Sequence, residues 1–318
     1  MRSKTNEEAL EISIQTTLTG TSLEAQQKGD GEIITPNSGY QLGHAKDFDA
    51  HFAIDTRFFW EFLEKSQPKE LEKIKTGGNW QRKVLDRYDR VMSQSGVLRI
   101  LREGLTVDNA HFRFHFPVPL ASSAKAVHEA YQHNIFSVTR QVSYSLTNKR
   151  EEIDLVLFIN GIPFATIELK NAWTHQTARY HGIRQYEERD QHQPLLRFGR
   201  ALVHMAVDTD EVFMTTHLQG KKTFFLPFNR GNNGGAGNPV NPNGHKTAYL
   251  WETIFAKESV SDLIQHFIFL ENSKKENEPL HHKKLLFPRY QQLDVVRSLL
   301  ADVQARGLGH TYLVQHSA

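Results

Sequence analysis

Asp154-Leu-Val-Leu-Phe-Ile-Asn160-Gly161-Ile-Pro-Phe-Ala-Thr-Ile-Glu168-Leu-Lys170 decides how this chain is read. Two runs rich in strand-forming residues flank Asn-Gly, the strongest short-range signal for a β-hairpin. An acid opens the first run, and an acid and a lysine two residues apart close the second. Charge at the ends of such apolar runs is expensive unless it has a use. Carboxylates hold Mg2+, a hard cation that prefers oxygen ligands. The ion makes a nucleophile of water and offsets charge on a phosphate. A lysine beside it can hold that water or the scissile phosphate as a compact cation. The pattern therefore points to metal-dependent phosphodiester hydrolysis. Acids and a lysine set at strand ends for solubility fit the same letters and stay open as the plainer reading.

Register decides between them. Side chains alternate faces with period two, so Glu168 and Lys170 share a face. Asp154 joins them only if paired residue numbers across the hairpin sum to an even number. A two-residue Asn160-Gly161 loop pairs 159 with 162, an odd sum, and turns Asp154 away. The expectation is a three-residue loop in which a left-handed Gly161 forms a bulge. An odd register between flat, unbulged strands would sink either that turn or the metal site.

Composition sets the frame. The chain has 318 residues, 39% hydrophobic and 23% charged, which suits one large or two smaller globular domains. No apolar run approaches the ~20 residues of a membrane span, and no signal peptide is expected at Met1. The absence of cysteine excludes disulfides, thiolate zinc sites and cysteine nucleophiles, and fits a reducing compartment such as the cytoplasm. Lys plus Arg number 38 against 36 acids, so nucleic-acid binding needs local clustering of charge. The 17 histidines show no HExxH spacing and read as surface or hydrogen-bonded groups. No Gly-x-Gly-x-x-Gly follows a strand, which removes a dinucleotide enzyme.

Along the chain, residues 1–45 read as a polar, weakly periodic segment with a Pro-Asn-Ser-Gly turn at 36–39. A domain over 46–230 begins with helices carrying Phe58, Phe59, Phe62, Leu63 and Leu71, broken or restarted at Pro68. A further helical stretch runs from Trp80 to Leu101 and is interrupted at Gly96. Alternating Phe112, Phe114 and Phe116 read as a strand, and Ala124–His133 as a short helix. Strands follow over Phe136–Ser145, the hairpin, Ala201–Val207 and Glu211–Thr216, with a helix at Tyr180–Arg189. Residues 231–284 read as a flexible Gly/Asn-rich loop and a connecting helix. A last helix, Tyr290–Ala305, and a strand beginning at Thr311–Val314 fall within 285–318. Glu129 reads as a solvent-facing helical acid.

The run from Ile153 to Asn171 resembles the endonuclease region of the restriction (R, motor-nuclease) subunits of type I restriction-modification enzymes. Segments on both sides carry the same resemblance: Tyr131-Gln-His-Asn134 to Gln141, Arg197-Phe-Gly-Arg200 to Asp208, Val212–Thr216, and Arg289-Tyr-Gln-Gln292-Leu-Asp. It extends from about Gly39 to the terminus. The resemblance implies an α/β fold with a PD-(D/E)xK nuclease core, a central mixed sheet flanked by helices, followed over 285–318 by the start of a RecA-like motor domain. It makes Asp154 and Glu168 metal ligands for Mg2+ and Lys170 the catalytic lysine. A Gln-x-x-x-Tyr helix often supports this type of site. Gln185 and Tyr186 sit where that helix should run, while Gln176 and Tyr180 have its spacing, so both pairs stay as supporting candidates. Gln292 would contact adenine in an intact motor. In the family, His316-Ser317-Ala318 leads into a glycine-rich phosphate loop, so ATP is expected as a cofactor of a full-length protein only. Implied partners are double-stranded DNA and the methyltransferase (M) and specificity (S) subunits, with no sequence choice by this chain and no membrane. Two alternatives stay open: a catalytically silent fragment that docks or binds DNA, and a free-standing repair-type nuclease.

Overall fold

The computed structural model describes residues 2–29, 38–75, 78–171, 175–271 and 278–315. Pro36 and Asn37 of the expected turn, and the His316–Ala318 end, lie outside the described residues.

The chain opens with α1 (Arg2–Thr19) and α2 (Leu23–Lys28). Leu10, Ile14 and Leu18 recur four residues apart and are buried against the sheet, so the polar segment expected at 1–45 is in large part a core helix. Short strands β1 (Gln41–Leu42), β2 (Phe48–Asp49) and β3 (Ile54–Asp55) follow. Helices α3 (Thr56–Ser66), α4 (Pro68–Ile74), α5 (Trp80–Ser95) and α6 (Val97–Glu103) break at Pro68 and Gly96 as the sequence predicts. Asp55 caps α3 by accepting the Phe58 amide at 3.0 Å. A small ribbon, β4 (Leu105–Val107) with β5 (Ala110–Phe112), ends sooner than the phenylalanine alternation suggests. Phe114 and Phe116 continue without a ladder, Phe114 stacking on Phe59 at 5.2 Å.

After α7 (Lys125–Gln132) come the central strands β6 (Phe136–Ser143), β7 (Glu152–Ile159) and β8 (Ile162–Leu169). A single π-turn at Ala178–Gly182 leads into α8 (Ile183–Glu188), and β9 (Val203–Val207), β10 (Val212–Thr215) and β11 (Leu226–Pro227) complete the sheet. The sheet has seven strands in the order β1-β6-β7-β8-β9-β10-β11. It is mixed: β6 to β8 run antiparallel, and β9 returns parallel to β8 through α8. One face carries Leu155, Leu157 and Ile159 into the large core shared with α1 and α3–α6. The other carries Val156 and Phe158 against Tyr186, Leu195 and Leu196.

The remaining elements are α9 (Lys257–Asp262), β12 (Phe269–Leu270), β13 (Leu285–Leu286) and α10 (Tyr290–Arg306). The glycine–asparagine stretch after residue 230 is tied down: buried Asn238 donates to Asn229 at 2.9 Å and to the Asp210 carbonyl at 2.8 Å. The expected strand at Thr311–Val314 is not formed; these residues are exposed and have no ladder partner among the described residues. Only Leu293 of α10 is buried.

Candidate active site

The site begins at the hairpin turn. Asn160 and Gly161 take φ 52° and 77°, the paired left-handed conformations of a tight two-residue turn. Ile159 faces Ile162 and Phe158 faces Pro163, so the register starts odd. The expected three-residue loop is therefore corrected. Asn160 explains why: it is fully buried, its Oδ1 accepts the Ile135 amide at 2.6 Å, and its Nδ2 donates to the Phe114 carbonyl at 2.8 Å and to Asn134 at 3.0 Å. Gly161 lies so close to α3 that an added Cβ would stand 2.5 Å from the Asp55 carbonyl and the Phe59 nitrogen.

Parity is restored further along. Between Leu157 and Phe158 the register shifts, and Leu157, Val156 and Leu155 then face Ala165, Thr166 and Ile167. Phe164 is the extra residue of a β-bulge, next to Pro163, which has no amide hydrogen for a ladder. The sum is now even, so Asp154 and Glu168 oppose one another. Regular pairing stops at Leu155 and Ile167, and beyond it Asp154 Oδ2 accepts the Leu169 amide at 2.6 Å.

Burial and charge set the chemistry of this strand end. Glu168 is completely buried, and among the described residues neither carboxylate oxygen has a well-aligned hydrogen-bond donor. Burial first, and then the charge of Asp154, push the Glu168 carboxyl well above the usual carboxylate range. Burial also raises Asp154, against the pull of Lys170. Lys170 is buried, donates from Nζ to the Leu169 carbonyl at 2.8 Å, and stands 3.8 Å from Glu7 Oε1. Arg189 approaches from the end of α8, with Nη2 2.5 Å from Glu168 Oε1. That contact is one of charge without hydrogen-bonding direction, since the Glu168 oxygens have no donor in line.

Three of these groups escaped the sequence reading. Glu7 and Glu11 come from α1, and Arg189 comes from beyond α8. Glu11 is buried and pairs with Arg140 of β6 at 3.0 Å, yet burial and then the Asp154 charge push its carboxyl up to about 7. Glu7 is also raised, by burial first, with Lys170 opposing. The signal was present: Glu7, Glu11 and Gln15 follow one another at four-residue spacing beside the apolar Leu10-Ile14-Leu18 stripe.

The Gln and Tyr candidates separate. Tyr186 is buried beneath the sheet and its hydroxyl pairs with Thr166 Oγ1 at 2.8 Å, which in turn meets His204 Nδ1 at 2.7 Å. It underpins the strand that carries Glu168 and points at Thr166, not at the carboxylates. Gln185 and Gln176 are partly exposed, and Tyr180 is 70% exposed. Asp208 fixes the helix start by accepting the Ala178 amide at 2.7 Å, and Gly182 lets the turn rest on Ala206 and the Lys170 stem. Glu129 lies on the surface 3.3 Å from Lys125. Gln292 is exposed and turns back on its own helix, where its Oε1 accepts the Arg289 amide at 3.0 Å.

The donor set suits a hard divalent cation. A buried carboxylate without a hydrogen-bond donor is unusual, and a cation between Asp154 and Glu168 would satisfy both groups. Among the described residues no cluster of three or more acid or histidine side chains is spaced to enclose a metal. Asp154 and Glu168 would be the two carboxylates facing such a cation, and Mg2+ sites commonly keep several waters. No helix among the described residues is long and apolar enough to cross a membrane.

A family model described as the type I restriction enzyme R protein N terminus matches residues 61–223, just over half of the chain and the whole of the β6–β10 site framework. No curated protein matches the chain.

Proposed function

The chain belongs to the type I restriction enzyme R protein N-terminal family, and from that premise we propose that it is a Mg2+-dependent DNA endonuclease module without sequence choice of its own. One observation carries the reading: the bulged hairpin opposes two carboxylates at a strand end, and among the described residues the buried Glu168 has no well-aligned hydrogen-bond donor. The strand and helix order from α1 through β6–β8, α8 and β9 is read as a PD-(D/E)xK core, and α10 as the first helix of a RecA-like motor. ATP binding, with a role for Gln292, would require a glycine-rich phosphate loop beside it. Double-stranded DNA and the methyltransferase and specificity subunits are the proposed partners.

In this mechanism Asp154 and Glu168 would hold the cation. When bound, Mg2+ supplies Lewis-acid polarisation of the phosphodiester and stabilises the charge that develops there. Lys170, held by the Leu169 carbonyl, orients the attacking water or a phosphate oxygen on the same face as Glu168. The Leu169 amide fixes the Asp154 carboxylate through Oδ2 and leaves Oδ1 for the cation. Tyr186 and Thr166 keep β8 in place beneath.

Mn2+ binding by calorimetry, with Asp154→Ala as control, tests the reading. Binding that disappears in the variant supports it. Equal binding by both chains, or cleavage by the assembled complex that survives the substitution, overturns it and favours a docking module.

A further inference from the structure

Among the described residues Arg189 is the one cation within ion-pair distance of Glu168, and its placement is not that of a finished structural ion pair. Its side chain is 8% exposed. Nη1 donates to the Tyr144 hydroxyl at 3.2 Å, Nη2 donates to the Glu152 carbonyl at 2.5 Å, and the guanidinium lies 5.1 Å from the Tyr144 ring centre. Among the described residues Nε is buried with no acceptor, and Nη2 alone approaches Glu168 Oε1, at 2.5 Å and in poor hydrogen-bonding alignment. A structural arginine–carboxylate pair in a buried site normally closes two parallel hydrogen bonds. Here Nη1 and Nη2 are committed to the Tyr144 hydroxyl and the Glu152 carbonyl, and Nη2 alone reaches the carboxylate.

The anchors of Arg189 explain that compromise. The Glu152 carbonyl lies at the start of β7 and Tyr144 just past the end of β6 beside it, and the Glu152 contact is open to solvent. The guanidinium therefore spans from the solvent edge to the carboxylate interior. Lys170 has no such span, because the Leu169 carbonyl and Glu7 hold it. A divalent cation at Glu168 and a guanidinium 2.5 Å from the same oxygen cannot coexist without strong repulsion.

We propose that Arg189 is the resident counter-ion of Glu168 and exchanges with the metal. The guanidinium keeps the carboxylate aligned until the cation arrives, then swings to the solvent edge, where a phosphate of bound DNA becomes its new partner. Arginine suits that handover, since its planar fork matches phosphate as well as carboxylate. Arg189 is thus a positioning residue that couples DNA binding to metal binding. Metal affinity is low until DNA draws the arginine away, and by linkage DNA binds more tightly once the metal is in place. The proposal rests on the metal reading of Asp154 and Glu168.

The test is Ca2+ binding by calorimetry to the full chain, with and without a DNA duplex, for the natural chain, Arg189→Met, Arg189→Lys and Asp154→Ala. Ca2+ takes oxygen ligands as Mg2+ does. The expected result is that DNA tightens Ca2+ binding to the natural chain at least about fivefold, the lower end of ordinary site-to-site coupling. Arg189→Met should bind Ca2+ more tightly than the natural chain without DNA and gain nothing when DNA is added. Arg189→Lys should keep part of the coupling, and it stands in if the methionine variant does not fold. A merely structural arginine would give weaker binding in both variants and an unchanged DNA effect, which overturns the proposal while leaving the metal site intact. No Ca2+ binding by the natural chain under either condition, matching Asp154→Ala, overturns the metal reading itself.

Discussion

Asp154→Asn should make the metal-free protein more stable near neutral pH. Glu7, Glu11, Asp154 and Glu168 crowd one strand end against Lys170, Arg189 and Arg140, and all four carboxyls are raised. The sign follows from linkage. A carboxyl raised on folding contributes most below its unfolded value, and that contribution is lost as pH climbs through the folded value. For Glu11 the window runs from 4.5 to about 7, which corresponds to about 3 kcal/mol lost by pH 7.5. The charge of Asp154 is the second cause of the rise at both Glu11 and Glu168. Asparagine removes that charge, while its Oδ1 can still accept the Leu169 amide now taken by Asp154 Oδ2 at 2.6 Å. The expected gain is about 1–3 kcal/mol at pH 7.5, within the usual range for one substitution, and close to nothing at pH 4.5. In a thermal scan that is a rise of roughly 2–8 °C. Urea denaturation with a chelator at both pH values measures it. A variant no more stable than the natural chain at pH 7.5, or a gain of equal size at pH 4.5, would refute the claim that these carboxylates repel one another.

Three further outcomes can be checked alongside. Gly161→Ala should cost about 3 kcal/mol or more, because a left-handed φ and a Cβ 2.5 Å from the Asp55 carbonyl and Phe59 nitrogen both oppose it; denaturant midpoints would show the loss. Tyr186→Phe should lower stability by about 1 kcal/mol for the lost bond to Thr166 and leave Mn2+ affinity within about twofold, since the hydroxyl is bonded to Thr166; a collapse of metal binding would place it in the site after all. Lys170→Ala should retain Mn2+ binding and lower cleavage by the assembled restriction complex by about 100-fold or more, so cleavage at the natural rate would remove the lysine from the chemistry.

Much of this was legible in the letters. Asn160-Gly161 between β-branched runs announced the hairpin, and Pro68 and Gly96 marked real helix ends. The Asp154, Glu168 and Lys170 set was visible because charge closes runs that are otherwise apolar. The rest was hidden for physical reasons. Among the described residues three buried apolar side chains, Leu10, Ile14 and Leu18, hold α1 to the core, too thin a stripe to stand out against Glu, Thr and Gln, so the acids it delivers were missed. Arg189 becomes part of the site only when α8 folds back onto β8, a contact that no local pattern encodes. The turn was misjudged because its tightness comes from Asn160 bonding to Asn134, Ile135 and Phe114, residues distant in the chain.

The bulge at Phe164 gives this site something like a reading frame. Loops elsewhere can gain or lose residues with little effect, because the strands they join keep their own alternation. Between Gly161 and Ala165 that tolerance ends. Losing one residue there would carry Glu168 and Lys170 to the opposite side of the sheet from Asp154 while leaving the composition almost untouched. Chains that share this hairpin but differ by a single residue in that short interval should therefore divide sharply into those that can assemble the carboxylate pair and those that cannot, however similar they look elsewhere.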